Sequence, residues 1–403
     1  MTRKSIVLLL AIASLSVNLW ADRLTYHLVK RVDVGGKGGW DYLIYDESSH
    51  RVFVSRGNDV MVLDGESGAT VGDIPDTPLV HGIALAPEFG KGFTSNGQTN
   101  DVTIFDLKTL KPIGKVSTGR GPDAIVYDPA SRRVFTMNGR DNTATAIDAV
   151  SGQAVGTVPL LGRPEFAVAD GKGTVFVNIT DKHTLTAIDS NGLTVESNWD
   201  MPGCEGPSGL SMDRQNRRLF SGCDNKVMAI VDADSGKLIA TVPIGAGVDA
   251  TAFDPKTGLA FSSNGEDGTL TVVHEDSPDK FTVAENVPTE AGARTLALDP
   301  ESGTVYLVTA TVGPKLILLF ILGIFRPIVR PMIGTVGGVA LLVSVLFLLR
   351  ARSRGWPKKL GWYPGIFFVV GVVLAVWCWN YDTLLAALSP TDFHMTMWRQ
   401  PNA

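Results

Sequence analysis

Arg51-Val-Phe-Val-Ser is one of seven copies of a single five-residue pattern. It returns as Lys91-Gly-Phe-Thr-Ser, Arg133-Val-Phe-Thr-Met, Thr174-Val-Phe-Val-Asn, Arg218-Leu-Phe-Ser-Gly, Leu259-Ala-Phe-Ser-Ser and Thr304-Val-Tyr-Leu-Val. Each copy sets an aromatic ring among small, β-branched or aliphatic residues, the composition of a strand covered on both faces. An apolar run precedes each copy and closes on Asp46, Ala86 (before Pro87), Asp128, Asp170, Asp213, Asp254 or Asp299, at spacings of 40, 42, 42, 43, 41 and 45 residues. A third run ends in Asp at Val60–Asp64, Val102–Asp106, Ala144–Asp148, Leu185–Asp189 and Val227–Asp232, and a fourth leads into a Gly-rich corner. At Asn96, Asn138 and Asn264 the second run meets an Asn-Gly pair, which reads as a tight reversal. Four short strands per unit, repeated about seven anchors, predict an all-β fold, a seven-bladed β-propeller.

The seventh unit is irregular. Its first two strands are legible at Thr295–Asp299 and Thr304–Thr309, and Leu28–Val34 resembles a fourth strand such as Pro112–Val116. An N-terminal strand in the last blade would close the ring and remove an exposed edge. The third strand is expected within Lys315–Gly323, so the propeller is predicted to span residues 22–323.

Composition divides the 403 residues sharply. Residues 22–310 hold 25 basic and 39 acidic side chains, a net of −14, whereas 311–403 hold nine basic and two acidic, a net of +7. The mean hydropathy of +0.14 therefore averages an acidic body with a greasy, basic tail. An acidic body argues against nucleic-acid binding through bulk charge. Arg3 and Lys4 precede the apolar run Ile6–Ala13, so residues 1–21 read as an export signal. Ile333–Leu349 and Tyr363–Trp379 are uncharged stretches of 17 residues bordered by Trp356, Trp362 and Trp379, as membrane-spanning helices are. Arg350, Arg352, Arg354, Lys358 and Lys359 lie between them, which places residues 350–359 in the cytoplasm and the propeller outside it. Residues 324–403 are thus expected to form a two-helix membrane hairpin and a short tail. Leu316–Phe325, only ten residues long, is read as non-spanning.

The body resembles the YVTN-repeat β-propellers, the YncE-like proteins of the bacterial cell envelope. The resemblance covers about residues 28–310 and rests on the blade pattern with Gly39-Trp40-Asp41-Tyr42, Val80-His81-Gly82, Gly121-Pro122-Asp123-Ala124, Pro164-Glu165-Phe166-Ala167-Val168 and Gly292-Ala293-Arg294-Thr295. It implies the propeller fold and an envelope location, and no particular reaction. Members of that family usually end in a short strand, and the apolar tail departs from this.

Five residues before each anchor stand Asp41, His81, Asp123, Glu165, Ser208, Asp249 and Arg294, all polar. In a propeller this position lies where the chain enters the innermost strand, so a ring at one mouth of the central channel is expected. Two readings stand: side chains that bond the neighbouring corners, or a ligand site in which His81, Asp123 and Glu165 hold a divalent metal. Trp40, Arg56, Arg120 and Arg163, with Arg140, Lys182 and His183, are expected on the same face. Cys204 and Cys223 flank two antiparallel strands of the fifth unit, so a disulfide is expected, and Cys378 falls in the second apolar stretch. The chain contains no Gly-x-Ser-x-Gly, Walker loop, His-Glu-x-x-His or Cys-x-x-Cys-His. The reading favoured is a membrane-anchored extracytoplasmic module that binds a small polar ligand or an envelope protein at the channel mouth. The alternatives are a metal-assisted hydrolase or lactonase-like enzyme at the same mouth, and an accessory subunit of a membrane complex.

Overall fold

The computed structural model describes residues 26–35, 39–310 and 393–401. Seven four-stranded antiparallel sheets account for them. Blades one to six follow the chain, each starting at its inner strand: Trp40–Asp46, Val80–Ala86, Pro122–Asp128, Pro164–Ala169, Pro207–Asp213 and Val248–Asp254. The seven-bladed propeller predicted from the repeats is the observed fold.

Burial follows radial position. In blade one the second strand, Arg51–Arg56, has its four central residues buried, whereas the outermost, Thr70–Ile74, is exposed along most of its length. Middle strands are sandwiched between neighbouring blades, so both faces must be apolar, and this is what the repeated pentapeptide encodes. Its aromatic residues Phe53, Phe93, Phe135, Phe176, Phe220 and Phe261 are among the largest fully buried side chains. The anchor aspartates serve the turns. Asp128 accepts from the Ser131 amide at 3.1 Å and the Ser131 hydroxyl at 2.7 Å, and Asp254 accepts from the Lys256 amide at 2.9 Å. Such local bonds hold a reversal between strands.

Blade seven departs from expectation. From outside inward it runs His27–Asp33, Phe393–Arg399, Thr304–Ala310 and Leu296–Asp299. The N-terminal strand closes the ring as expected, but Phe393–Arg399 takes the third position that the sequence reading assigned to Lys315–Gly323. Ala310 pairs directly with Phe393, so residues 311–392 are an insertion into one hairpin rather than a tail. The predicted domain end at 323 is corrected accordingly. Phe393-His-Met-Thr-Met-Trp-Arg fits the strand pattern, and a long excursion is tolerated because loop-closure entropy grows only logarithmically with length. The expected export signal, Leu316–Phe325 and both 17-residue apolar stretches lie outside the described residues. Among the described residues no helix is long and apolar enough to cross a membrane.

The Asn-Gly pairs also behave differently from a two-residue reversal. Asn96 and Asn138 end their strands as buried residues, and positive φ appears further on, at Asn100 and Asn142. Asn96 Nδ2 donates to Asp101 at 2.7 Å and Thr103 at 2.8 Å, so the asparagine clamps its loop from inside. The disulfide between Cys204 and Cys223 is present, with a Cα separation of 5.4 Å. Closing a loop of 19 residues stabilises the fold by about 3 kcal/mol in the loop-entropy model.

Candidate functional site

A bulge sets each ring residue. Register shifts fall between Trp40 and Leu43, Val80 and Ile83, Pro122 and Ile125, Pro164 and Ala167, Pro207 and Leu210, and Val248 and Ala250. Each bulge encloses one ring residue at the mouth end of its inner strand, where it frees the side chain from the ladder and re-aims it. In blade seven Arg294 stands just before the strand Leu296–Asp299.

Six of the seven members form one chain of contacts. His81 Nδ1 lies 2.6 Å from Asp41 Oδ2 and 3.8 Å from Asp123 Oδ1. Arg294 joins blade one to blade six, with Nη2 at 3.4 Å from Asp41 Oδ1 and Nε at 2.7 Å from Asp249 Oδ2. Ser208 Oγ donates to Asp249 Oδ1 at 3.0 Å. Arg294 also lies over the Trp40 ring, 5.6 Å from its centroid, and donates to the Trp40 carbonyl at 3.2 Å. Glu165 is joined instead to Arg163 at 3.3 Å. Two other arginines of this face are paired: Arg56 with Asp59 of its own turn at 3.0 Å, and Arg120 with Asp141 of a neighbouring loop at 2.6 Å.

Two glycines pack closely against this network. A Cβ on Gly97 would meet His81 Nε2 at 2.7 Å, and one on Gly265 would meet the Arg294 Cβ at 2.7 Å.

The ring crowds acids in a desolvated place. Burial, then the neighbouring Asp41 and Asp249 charges, push Asp123 up to about 6 against the pull of His81. Burial and the Asp123 charge push Glu165 up to about 8. Asp249 is raised by burial and Asp41 although Arg294 opposes the shift. For His81 burial opposes the charged ring, but the Asp41 hydrogen bond and the Asp123 and Asp41 charges outweigh it, so its pKa rises. Like charges at short range in low dielectric disfavour simultaneous ionisation.

Among the described residues the group whose ligand atoms lie within 4.8 Å of one another is Asp41, His81 and Asp123. It differs from the sequence-proposed set by one member, Asp41 standing where Glu165 was expected, and Glu165 pairs with Arg163 instead.

Tyr42 and Phe166 were not singled out from the sequence. Each follows a ring residue directly, where five blades carry Gly82, Ala124, Gly209, Ala250 and Thr295. The two aromatic side chains meet with ring centroids 4.8 Å apart, and the Tyr42 hydroxyl donates to Asp249 Oδ1 at 3.4 Å. They form a floor to the polar mouth. Two large residues among five small ones at one repeat position were the available signal.

No family model matches the chain, and no curated protein matches it in sequence. Among solved structures it is similar to hydrazine synthase of Kuenenia stuttgartiensis, at 14% identity and TM-score 0.60, covering 70% of this chain and 96% of that one. It is also similar to the WD40 repeats of RRP9, at 9% identity and TM-score 0.61, covering 70% and 89%. At these identities the likeness shows the propeller fold alone.

Proposed function

We propose that this chain is a membrane-anchored, extracytoplasmic binding propeller of the YVTN-repeat type, whose polar mouth takes a positively charged ligand group. The supporting observation is the crowding of acids in a desolvated ring. Asp41, Asp123, Glu165 and Asp249 converge there, and burial with mutual repulsion raises Asp123 to about 6 and Glu165 to about 8 although Arg294, His81 and Arg163 stand beside them. The anchor aspartates, by contrast, have partners within their own turns. A divalent ion held by Asp41, His81 and Asp123, or the ammonium group of a small polar ligand, would relieve the crowding.

Membrane anchoring rests on the apolar stretches and basic loop within residues 311–392. The geometry of the insertion is compatible with it. Ala310 and Phe393 are strand partners, so the chain leaves and re-enters the propeller at one point, as an even number of crossings requires.

The test is calorimetric titration of the full chain, purified in detergent, with divalent manganese, calcium and zinc and with a small diamine. Binding by one of them that disappears in His81→Ala and Asp123→Asn supports the reading. No heat from any of them, or binding that both variants retain, overturns it. Location is checked separately by protease protection in intact membrane vesicles, where loop 350–359 should be cleaved only from the cytoplasmic side.

A further inference from the structure

Beneath the Tyr42–Phe166 floor the central channel has a different character. A cavity of about 480 Å³ is lined from every blade and is largely apolar, with Ile44, Val126, Val168, Ala252 and Leu298 among its walls. Its volume falls in the range of about 300–1,000 Å³ common to small-ligand pockets. Three hydroxyls of the wall have partners elsewhere. The Tyr45 hydroxyl lies 3.0 Å from His50 Nδ1, Tyr127 donates to Glu88, and Thr251 donates to the Phe220 carbonyl at 3.2 Å.

Two charged side chains, Glu47 and Arg214, also belong to the lining, and Arg214 is the cation. It follows the anchor Asp213 at the end of the channel opposite the ring, in a repeat position filled elsewhere by Pro87, Pro129, Pro255 and Pro300. Its Nη2 donates to the Ala169 carbonyl at 2.7 Å, and among the described residues no carboxylate pairs with it. The nearby Asp170 is taken by Arg217 at 2.9 Å. The guanidinium therefore keeps donors to spare at the entrance of an apolar cavity.

We propose that this half of the channel binds a small amphipathic carboxylate, its apolar body in the cavity and its carboxylate on Arg214. A guanidinium fork matches a carboxylate in two parallel hydrogen bonds, and an apolar body gains by leaving water for a largely apolar wall. Glu47 stands at the same entrance on blade one and disfavours a second negative charge, which limits the ligand to a monoanion. The site shares no side chain with the charged ring, so it stands independently of the function proposed above.

The experiment uses the full chain in detergent and follows binding of fluorine-labelled phenylpropanoate by fluorine NMR, with phenylpropanol and phenylpropylamine as matched probes. The acid is expected to bind about tenfold more tightly than the alcohol. Arg214→Gln, at an exposed position, should reduce the acid to the level of the alcohol and leave the alcohol unchanged. Ala252→Trp should exclude both, checked for retained thermal unfolding. Equal binding of acid and alcohol, an acid preference that survives Arg214→Gln, or a preference for the amine would each overturn the proposal.

Discussion

A chain that stops at Ala310 should fail to close its propeller, whereas a chain in which Ala310 is joined to Phe393 through Asn-Gly should close it. The two residues are direct strand partners, so a two-residue turn can replace residues 311–392 without moving either strand. Stopping at Ala310 removes Phe393, Met395, Met397 and Trp398, which are 2%, 0%, 4% and 8% exposed. At about 1.5–3 kcal/mol for each buried side chain the loss is about 6–12 kcal/mol. That is comparable with the whole net stability of a folded domain, about 5–15 kcal/mol. The N-terminal strand His27–Asp33 also loses its partner, because it pairs only with Phe393–Arg399 within the sheet. Urea unfolding followed by tryptophan fluorescence and far-ultraviolet circular dichroism would compare the two chains. The short-loop chain should show one cooperative transition, and the stopped chain an early, shallow one. A third chain ending at Gly323 should behave like the stopped chain. Equal midpoints and equal slopes for the short-loop and stopped chains would refute the assignment of Phe393–Arg399 to blade seven.

Three further outcomes are expected. Glu165 holds its proton up to about 8 in the folded protein against an ordinary value of 4.5, so the folded state binds more protons across that window and stability falls as pH rises through it. Glu165→Gln should flatten that slope by on the order of a few kcal/mol between about pH 5 and pH 8, and an unchanged slope in urea titrations would count against the buried-acid description. Gly265→Ala drives a Cβ into Arg294 backbone and side chain and should cost about 1–3 kcal/mol, read from the thermal midpoint, because the Arg294 backbone cannot step aside cheaply. Reducing the Cys204–Cys223 bridge should lower stability by about 3 kcal/mol, and a Cys223→Ser chain should be insensitive to reductant.

Much of the site was legible because a repeat makes position meaningful. Counting back from the anchors located Asp41, His81, Asp123, Glu165, Ser208, Asp249 and Arg294 before any contact was known, and the bulges explain why that count works. Which acids share His81 was not legible. The choice between Asp41 and Glu165 depends on how the ring residues of successive blades are set around the channel and on Arg294 reaching from blade seven to Asp41, and such reach has no one-dimensional signature. Tyr42 and Phe166 were visible as outliers, but their meeting across the channel depends on the curvature of the ring.

The sequence by itself determined the blade count, the apolar second strands, the turn-holding aspartates, the N-terminal closing strand and the disulfide. These follow from local periodicity and from residues adjacent within one repeat. Only the tertiary structure decided that Phe393–Arg399 completes blade seven, that six ring residues form one network, and that an apolar cavity with Arg214 at its far entrance lies beneath them. Those depend on contacts between segments far apart in the chain, where the energy comes from burial and charge in three dimensions and sequence separation costs little.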